Sequence, residues 1–230
     1  MSKLGAAGTK LTPIPAMESA DHAAEQIRDA IITGRLKPGE RLVEKQLTEQ
    51  LNMSRHPVRE ALRLLSREGF VEMRLNRGAV VTSLDAASIL EVYEIRSALG
   101  NMALRHLLSG ENNLRPADLK QLEKLANNAL TFAKRENQDD SVRNDLAFQD
   151  AIIRAADLPR TVRYFSGLTA EVQRFNNVLK IVYSDREGDA RNYVMALFQA
   201  IKERNLARAQ EIWAAKFATA VQRYLTLIPS

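Results

Sequence analysis

The most informative segment of the sequence is MSRHPVREALRLLSR, from Met53 to Arg67. Ser54 is a good N-cap, and Pro57 falls in the first turn, where a helix has no backbone hydrogen bond to lose. Apolar residues recur at the i, i+3, i+4 and i+7 spacing of one buried helix face: Val58, Ala61, Leu62 and Leu65. A neighbouring face carries an arginine at every fourth position: Arg55, Arg59, Arg63 and Arg67. The stretch therefore predicts a helix with one apolar and one cationic face.

The residues on either side extend this helix into a small domain. A shorter helix is predicted over about 43–51, and Asn52-Met53 separates the two at the spacing of a helix–turn–helix. An earlier helix, with apolar residues from Ala23 to Ile31, is expected to end near Gly34. Downstream, 70–74 and 79–82 have the composition of two short strands joined by a glycine-tipped loop. This order predicts three helices followed by a small β-hairpin, which is a winged helix–turn–helix.

The charge of this region favours an anionic partner. Between Met53 and Arg77 there are six arginines and three glutamates, a surplus of +3 within a chain whose net charge is +5. Guanidinium groups on the first turns of a capped helix suit contact with phosphate and guanine. On this basis we predict DNA contacts from the helix and the wing: Arg63, Arg74 and Arg77. The same spacing also fits a solvated charged face, in which Glu60 pairs with Arg63 or Arg67.

The pattern changes after about residue 84. Only long helical periods follow, with breaks near 111–116, 136–140, 157–159 and 185–189, and they indicate roughly six helices across 86–226. The predicted fold class is mainly α: a winged helix–turn–helix over 19–83, then an all-α helical-bundle effector domain over 84–230. Residues 1–18 are small, polar and interrupted by proline, which predicts a mobile tail.

Composition excludes several classes of function. The chain has 230 residues, no cysteine and three histidines, so thiolate zinc sites, disulfides and cysteine nucleophiles are excluded. We find no phosphate-binding glycine loop, nucleophile elbow or paired-carboxylate motif, so we predict that the chain is not an enzyme. It has neither a secretory signal nor a membrane-spanning run, which predicts a cytoplasmic protein.

Four polar residues fall within apolar helical stripes of the second domain. They are Arg96, Asp145, Gln149 and Lys216. A lone buried charge is costly, so each must be paired, face a pocket or extend its charged end into solvent. For any one of them a structural ion pair is an adequate explanation. Their convergence on one cavity would instead define a binding site for a small anion.

The winged region resembles the GntR family of bacterial transcription regulators. The resemblance rests on 31–42, on 54–62, on Glu68-Gly69-Phe70-Val71 and on Arg77-Gly78-Ala79. It implies that the DNA-contacting residues are Arg35, Glu44, Ser54, Arg55, His56 and Arg59, with Gly78 letting the wing approach the backbone. The helical remainder resembles the FadR-type branch with an FCD domain. That branch implies a homodimer, more often a repressor, that binds a palindromic operator and responds to a small carboxylate.

The resemblance also exposes a departure. Many FCD domains bind a divalent metal through one aspartate and three histidines. Asp145 matches the aspartate, whereas Gln149, Val194 and Lys216 stand where histidines are expected. We therefore predict no metal and no cofactor. Our hypothesis is that the Lys216 ammonium supplies the lost positive charge and that Arg96 is a second contact for the anion.

The sequence also fits two other kinds of DNA-binding protein. An effector-independent or architectural DNA binder would show salt-sensitive binding with little sequence preference. A regulator that responds to an acyl thioester would need a long apolar tunnel. Dimerisation is expected because one winged domain contacts a half-site, and three leucines of the first helix of the second domain are candidates for its interface: Leu90, Leu104 and Leu108.

Overall fold

The computed structural model describes residues 17–75, 78–109, 114–134, 138–180 and 190–228. Almost all of the predicted mobile tail lies outside these residues, as does Arg77. The described chain divides into two compact units, one built from the elements before Ser83 and one from the helices after it.

The first unit contains three helices and three strands. Their order is α1 (Met17–Ile32), β1 (Arg41–Leu42), α2 (Glu44–Leu51), α3 (Arg55–Arg67), β2 (Val71–Arg74) and β3 (Gly78–Val81). The turn between α2 and α3 is closed by Asn52, which adopts a left-handed conformation with φ 51° and ψ 45°. Asparagine tolerates this conformation better than most residues do, so the chain reverses sharply enough to set α3 against α2.

The strands form a small sheet in which the predicted hairpin gains a third member. The order is β1-β3-β2, and both pairings are antiparallel. In the hairpin, Val71 pairs with Val81 and Arg74 with Gly78. The prediction of a hairpin alone was incomplete, because β1 pairs Arg41 with Val80 on the other side of β3. Two residues are too few to show the alternation from which strands are recognised.

The core of the first unit is where the periodicity placed it. Four apolar residues of α3 are at most 1% exposed, namely Val58, Ala61, Leu62 and Leu65, and Ile27 and Ile31 of α1 and Val81 of β3 are buried as well. The burial of these four side chains provides most of the free energy that stabilises α3 in this unit.

Within its described residues, the second unit has six helices. They are α4 (Ala86–Ser109), α5 (Pro116–Lys134), α6 (Gln138–Ala155), α7 (Pro159–Leu179), α8 (Ala190–Lys202) and α9 (Leu206–Leu227). Their number agrees with the prediction, and the break between α8 and α9 lies at 203–205. There Arg204 has φ 55°, and the Asn205 side chain accepts a hydrogen bond of 3.0 Å from the Arg208 backbone N–H.

Two features of α4 define how the second unit is packed. A Cβ at Gly100 would overlap the indole of the fully buried Trp213 on α9, so only glycine allows the two helices to approach this closely. Leu104 and Leu108 are 0% and 9% exposed and belong to the core of the unit. The inference that they lie at a dimer interface was therefore wrong, while Leu90 is 39% exposed.

Candidate functional site

The first candidate site is the exposed face of α3. Its four arginines, one every fourth residue, are all exposed, whereas the opposite face of the helix lies in the core. A helix that is anchored on one side presents its other side as a rigid surface. The guanidinium groups are thus held on a single face of about three turns, which matches the length that a recognition helix inserts into a major groove.

Two of these arginines already have acidic partners. Arg59 Nε donates to both carboxylate oxygens of Glu44 on α2, at 3.0 and 2.8 Å. Arg63 Nη1 donates to Glu60 at 2.6 Å, one of the two pairings that the sequence left open. The structure thus brings together Arg59 and Glu44, both implied as DNA contacts by the resemblance. Exposed ion pairs contribute little to stability, so phosphate or base edges can replace these carboxylates at small cost.

The beginning of α3 also presents polar groups to solvent. Ser54 is the N-cap residue with an extended backbone, but its side chain makes no capping hydrogen bond, in contrast to the predicted cap. Arg55 and His56 are exposed in the first turn. The hydroxyl and the first backbone N–H groups of a helix are groups that bind phosphate in other proteins.

The wing adds cationic residues at the end of the hairpin. Arg74 forms an ion pair of 2.8 Å with Glu72, and this neighbour raises the pKa of its guanidinium. Gly78 has φ +74°, and a Cβ there would meet no atom within 4 Å. Glycine is thus favoured at position 78 by its backbone conformation rather than by crowding. Arg35, in the segment after α1, forms an ion pair with Asp29.

The second candidate site surrounds Arg96, which lies in the interior of the second unit with 0% exposure. Its guanidinium donates to Thr169 Oγ1 at 2.6 Å and to Gln149 Oε1 at 2.7 Å, and it stacks 4.0 Å from the centre of the Phe165 ring. Burial lowers the pKa of this guanidinium, and the interactions with Tyr93, Asp150 and Asp145 oppose the shift. The contacts with a polarised ring and neutral oxygens compensate part of the desolvation.

Gln149 connects Arg96 to an ion pair between two other helices. Its Nε2 donates to Asp145 Oδ2 at 3.2 Å, and the same oxygen accepts from Lys216 Nζ at 2.7 Å. Lys216 is 6% exposed and the Asp145 side chain 18%. All four residues predicted for the effector site therefore belong to one hydrogen-bonded cluster formed by α4, α6 and α9.

A second branch leads from Arg96 to another carboxylate. Thr169 Oγ1, which accepts from Arg96, lies 2.8 Å from Asp150 Oδ1 and donates to it. Burial raises the pKa of Asp150, against the lowering effect of the Thr169 hydroxyl and of Arg96. Arg96 therefore reaches two carboxylates through neutral relays, Gln149 on one side and Thr169 on the other.

The cluster opens on a small cavity of about 30 Å³. Asp145, Gln149 and Lys216 line it, together with Tyr93, Tyr193 and Arg223. A space of this size holds one or two water-sized groups, which matches a single carboxylate headgroup rather than a long chain. Two cationic side chains, Lys216 and Arg223, therefore line the cavity beside one carboxylate, Asp145.

Some residues of this site were missed by sequence reasoning. Thr169 lies one turn after Phe165 in a buried stripe of α7, and Arg223 lies seven residues after Lys216 on α9; these spacings were the available signals. On α8 the cavity is lined by Tyr193, whereas Val194 lies in the hydrophobic core at 2% exposure. Of the nearby aromatic residues, Tyr93 lines the cavity. Phe165 contacts Arg96, and Trp213 packs 4.6 Å from Phe217 between ring centres.

The two units define a class of protein: a winged helix–turn–helix joined to an α-helical domain with a buried polar cavity. Residues 19–81 match the profile of the bacterial regulatory proteins of the gntR family, and residues 91–219 match that of the FCD domain. The chain belongs to the GntR family of bacterial regulatory proteins, in the group that carries an FCD domain. Members of this family are transcription regulators rather than enzymes.

Individual relatives agree with this assignment. The gluconate operon transcriptional repressor of Bacillus subtilis is 33% identical over 135 residues, which cover 58% of this chain and 54% of that protein. The regulator YdhC of the same organism is 40% identical over 79 residues, 34% of this chain and 35% of that protein. The chain thus matches about a third to a half of the length of these relatives.

Solved structures show the same fold. A regulator described as a putative transcriptional regulator GntR from Rhodococcus sp. RHA1 has a TM-score of 0.75 at 23% identity, covering 92% of this chain and all of that one. The Escherichia coli protein McbR/YncC has a TM-score of 0.70 at 22% identity, covering 90% of this chain and 97% of that one. Among the described residues, no helix has the length and apolarity that a bilayer crossing requires.

Proposed function

We propose that the chain is a homodimeric repressor that binds a palindromic operator in the cytoplasm. We propose also that it responds to a small carboxylate bound in its second unit. The main support for an effector site is the polar cluster around Arg96. Arg96, Asp145, Gln149 and Lys216 are far apart in sequence, yet they form one hydrogen-bonded group at one cavity.

The proposed operator contacts are on α3 and the elements beside it. They are Arg35, Glu44, Ser54, Arg55, His56, Arg59, Arg63, Arg74, Arg77 and Gly78. For the α3 arginines the support is exposure: α3 is anchored by one buried face and presents these arginines on the other. Since a single winged domain contacts one half-site, two copies are needed for a palindrome. The repressor of the gluconate operon among the relatives supports repression as the mode of control.

The effector is proposed to be an anion because of the charge around the cavity. Lys216 and Arg223 line the cavity, so the lining cations outnumber the lining carboxylate Asp145. An effector carboxylate would compete with Asp145 for the Lys216 ammonium and would widen the small cavity as it enters. The size of the cavity disfavours an acyl chain, and an effector-independent regulator would leave the cluster with a structural role only.

Operator selectivity is tested by competition at fixed salt. The full chain is bound to a labelled palindrome from the adjacent intergenic region, and unlabelled palindrome or random DNA of equal length is added. Strong competition by the palindrome alone supports the proposal, whereas equal competition indicates an architectural binder.

Effector response is tested on the same complex with a panel of small carboxylic acids. We expect one class of acid to release the operator from the wild type and to lose this effect in Lys216→Met. The matched control is Lys120→Met, which changes an exposed lysine on α5. Release that is unchanged in Lys216→Met would remove this residue from the effector site.

A further inference from the structure

The FCD domain raises the question of whether this cluster is suited to a divalent metal. The carboxylate at the expected position, Asp145, already accepts two hydrogen bonds at Oδ2, from Lys216 and from Gln149. The Gln149 amide oxygen, the other oxygen that could bind a metal here, accepts from Arg96. Of these carboxylate and amide oxygens, Asp145 Oδ1 is buried without a hydrogen-bond partner. One oxygen does not make a metal site.

The types of donor lead to the same result. Zinc and related ions are bound by several imidazole, thiolate or carboxylate groups. The chain has no cysteine and no histidine after His106, and within the part of the chain that the structure describes no three His, Cys, Asp or Glu residues are grouped as a metal site would require. A cation next to Asp145 would also face the Lys216 ammonium at the same carboxylate oxygen. The residues present do not fit the metal.

We propose that the Lys216 ammonium is the resident cation of this site, so that the second unit is held together without a divalent metal. The inference deepens the effector site proposed above. A metal in such a domain would join side chains of different helices around one charge. Here the ammonium on α9 bonds to a carboxylate on α6 at 2.7 Å, and the chain supplies that charge itself.

The geometry makes this proposal testable by gain of function. Gln149 and Lys216 both donate to one atom, Asp145 Oδ2, so two imidazoles at these positions would surround a single point next to a carboxylate. Two histidines and one carboxylate are a sufficient protein ligand set for zinc, with water as the fourth ligand. The double variant Gln149→His/Lys216→His should therefore create the metal site that the native residues replace.

The experiment uses the whole chain and tests three divalent metals. Wild type is dialysed against EDTA and then incubated with zinc, nickel or manganese, and metal content and Tm are measured after removal of free ions. We expect wild type to retain far less than one metal per chain and to keep the same Tm in EDTA. The double variant should bind about one zinc per chain, gain Tm with zinc and lose it with EDTA. Its cobalt form should show the visible absorption of a low-coordinate site.

The matched control separates the site from added histidines in general. Gln149→His/Lys120→His has the same number of imidazoles, but Lys120 is exposed on α5, and this variant should bind no stoichiometric metal. Stoichiometric metal in wild type, or a Tm that falls in EDTA, would overturn the proposal. A folded double variant that binds no more metal than the control would also overturn it.

If the double variant does not fold, the wild-type measurements still decide the question. None of these readouts uses DNA or an effector. Failure of the metal experiment is thus distinguishable from failure of the effector proposal, which is measured by operator release.

Discussion

Arginine serves opposite purposes in the two units. On α3 the guanidinium groups of Arg55, Arg59, Arg63 and Arg67 are exposed and form at most surface ion pairs, so their charge is available to a phosphate or a base. Arg96 in α4 has 0% exposure, and its charge is distributed over Gln149, Thr169 and the Phe165 ring. The surroundings of an arginine, and not the residue type, therefore determine whether its positive charge binds a partner or organises a core.

The largest effect is expected when the buried arginine is removed. Arg96→Met leaves Gln149 Oε1 and Thr169 Oγ1 without their donor and removes one of the positive charges near Asp150. Breaking a buried charge cluster by removing one partner costs about 3–5 kcal/mol. Urea unfolding followed by circular dichroism measures the loss. The control Arg163→Met alters an exposed arginine on α7 and should change stability by less than about 0.5 kcal/mol. Equal effects of the two variants would contradict the special role of Arg96.

The enclosure of this cluster is tested one turn further along α4. Gly100→Ala places a methyl group within the indole of Trp213, and overpacking of a tight core costs about 1–3 kcal/mol. Gly167→Ala is a matched control, since a Cβ there would meet no atom within 4 Å in an exposed position of α7. This control should be neutral or more stable by up to about 1 kcal/mol, because alanine favours helix over glycine. The Tm of Gly100→Ala should therefore fall, whereas the Tm of Gly167→Ala should stay the same or rise.

For the exposed arginines the effect should appear in binding and not in stability. Arg55→Ala in the first turn of α3 should weaken operator binding by about 1–3 kcal/mol and relax sequence preference. The matched control is Arg67→Ala in the last turn of the same helix, where only a small, salt-dependent loss is expected. Fluorescence anisotropy with operator and random DNA at several salt concentrations measures both. Loss of stability in Arg55→Ala, without loss of binding, would reverse the comparison.

The smallest effect concerns the far end of the Arg96 relay. Burial raises the pKa of Asp150 in the folded protein above its ordinary value of 3.8, so folding favours the protonated carboxyl. The free energy of unfolding that this group contributes is therefore present below pH 3.8 and is lost as the pH rises through the raised pKa. Urea unfolding at several pH values should show this decline in wild type but not in Asp150→Asn. A decline of the same size in the variant would assign it to other groups.

Much of the fold was predictable because it depends on local periodicity. The buried stripe of Val58, Ala61, Leu62 and Leu65 and the exposed arginines follow from helical spacing alone. β1 was missed because its two residues carry no pattern, and its partner β3 lies far along the chain. Leu104 and Leu108 were misassigned because spacing shows which face is apolar but not how many neighbouring helices cover it.

The sequence predicted which residues belong to the candidate effector site, but not how they are arranged. Polar residues within apolar stripes revealed Arg96, Asp145, Gln149 and Lys216, since each conflicts with its local pattern. Which of them bond to one another depends on the crossing of α4, α6 and α9, and this is a tertiary property. Thr169 gave little signal, because a threonine in a helix stripe is as easily a packing residue as a hydrogen-bond partner.

The contact between Gly100 and Trp213 has a mechanical consequence. Gly100 lies four residues after Arg96 on α4, and Trp213 lies three residues before Lys216 on α9, so this contact between the two helices adjoins both cations. Because the Trp213 indole packs directly on α4 at Gly100, a displacement of α9 at this point would push against α4. We expect a ligand that pulls on Lys216 to move the two helices as one rigid lever, and α4 is the helix that follows the wing in the chain.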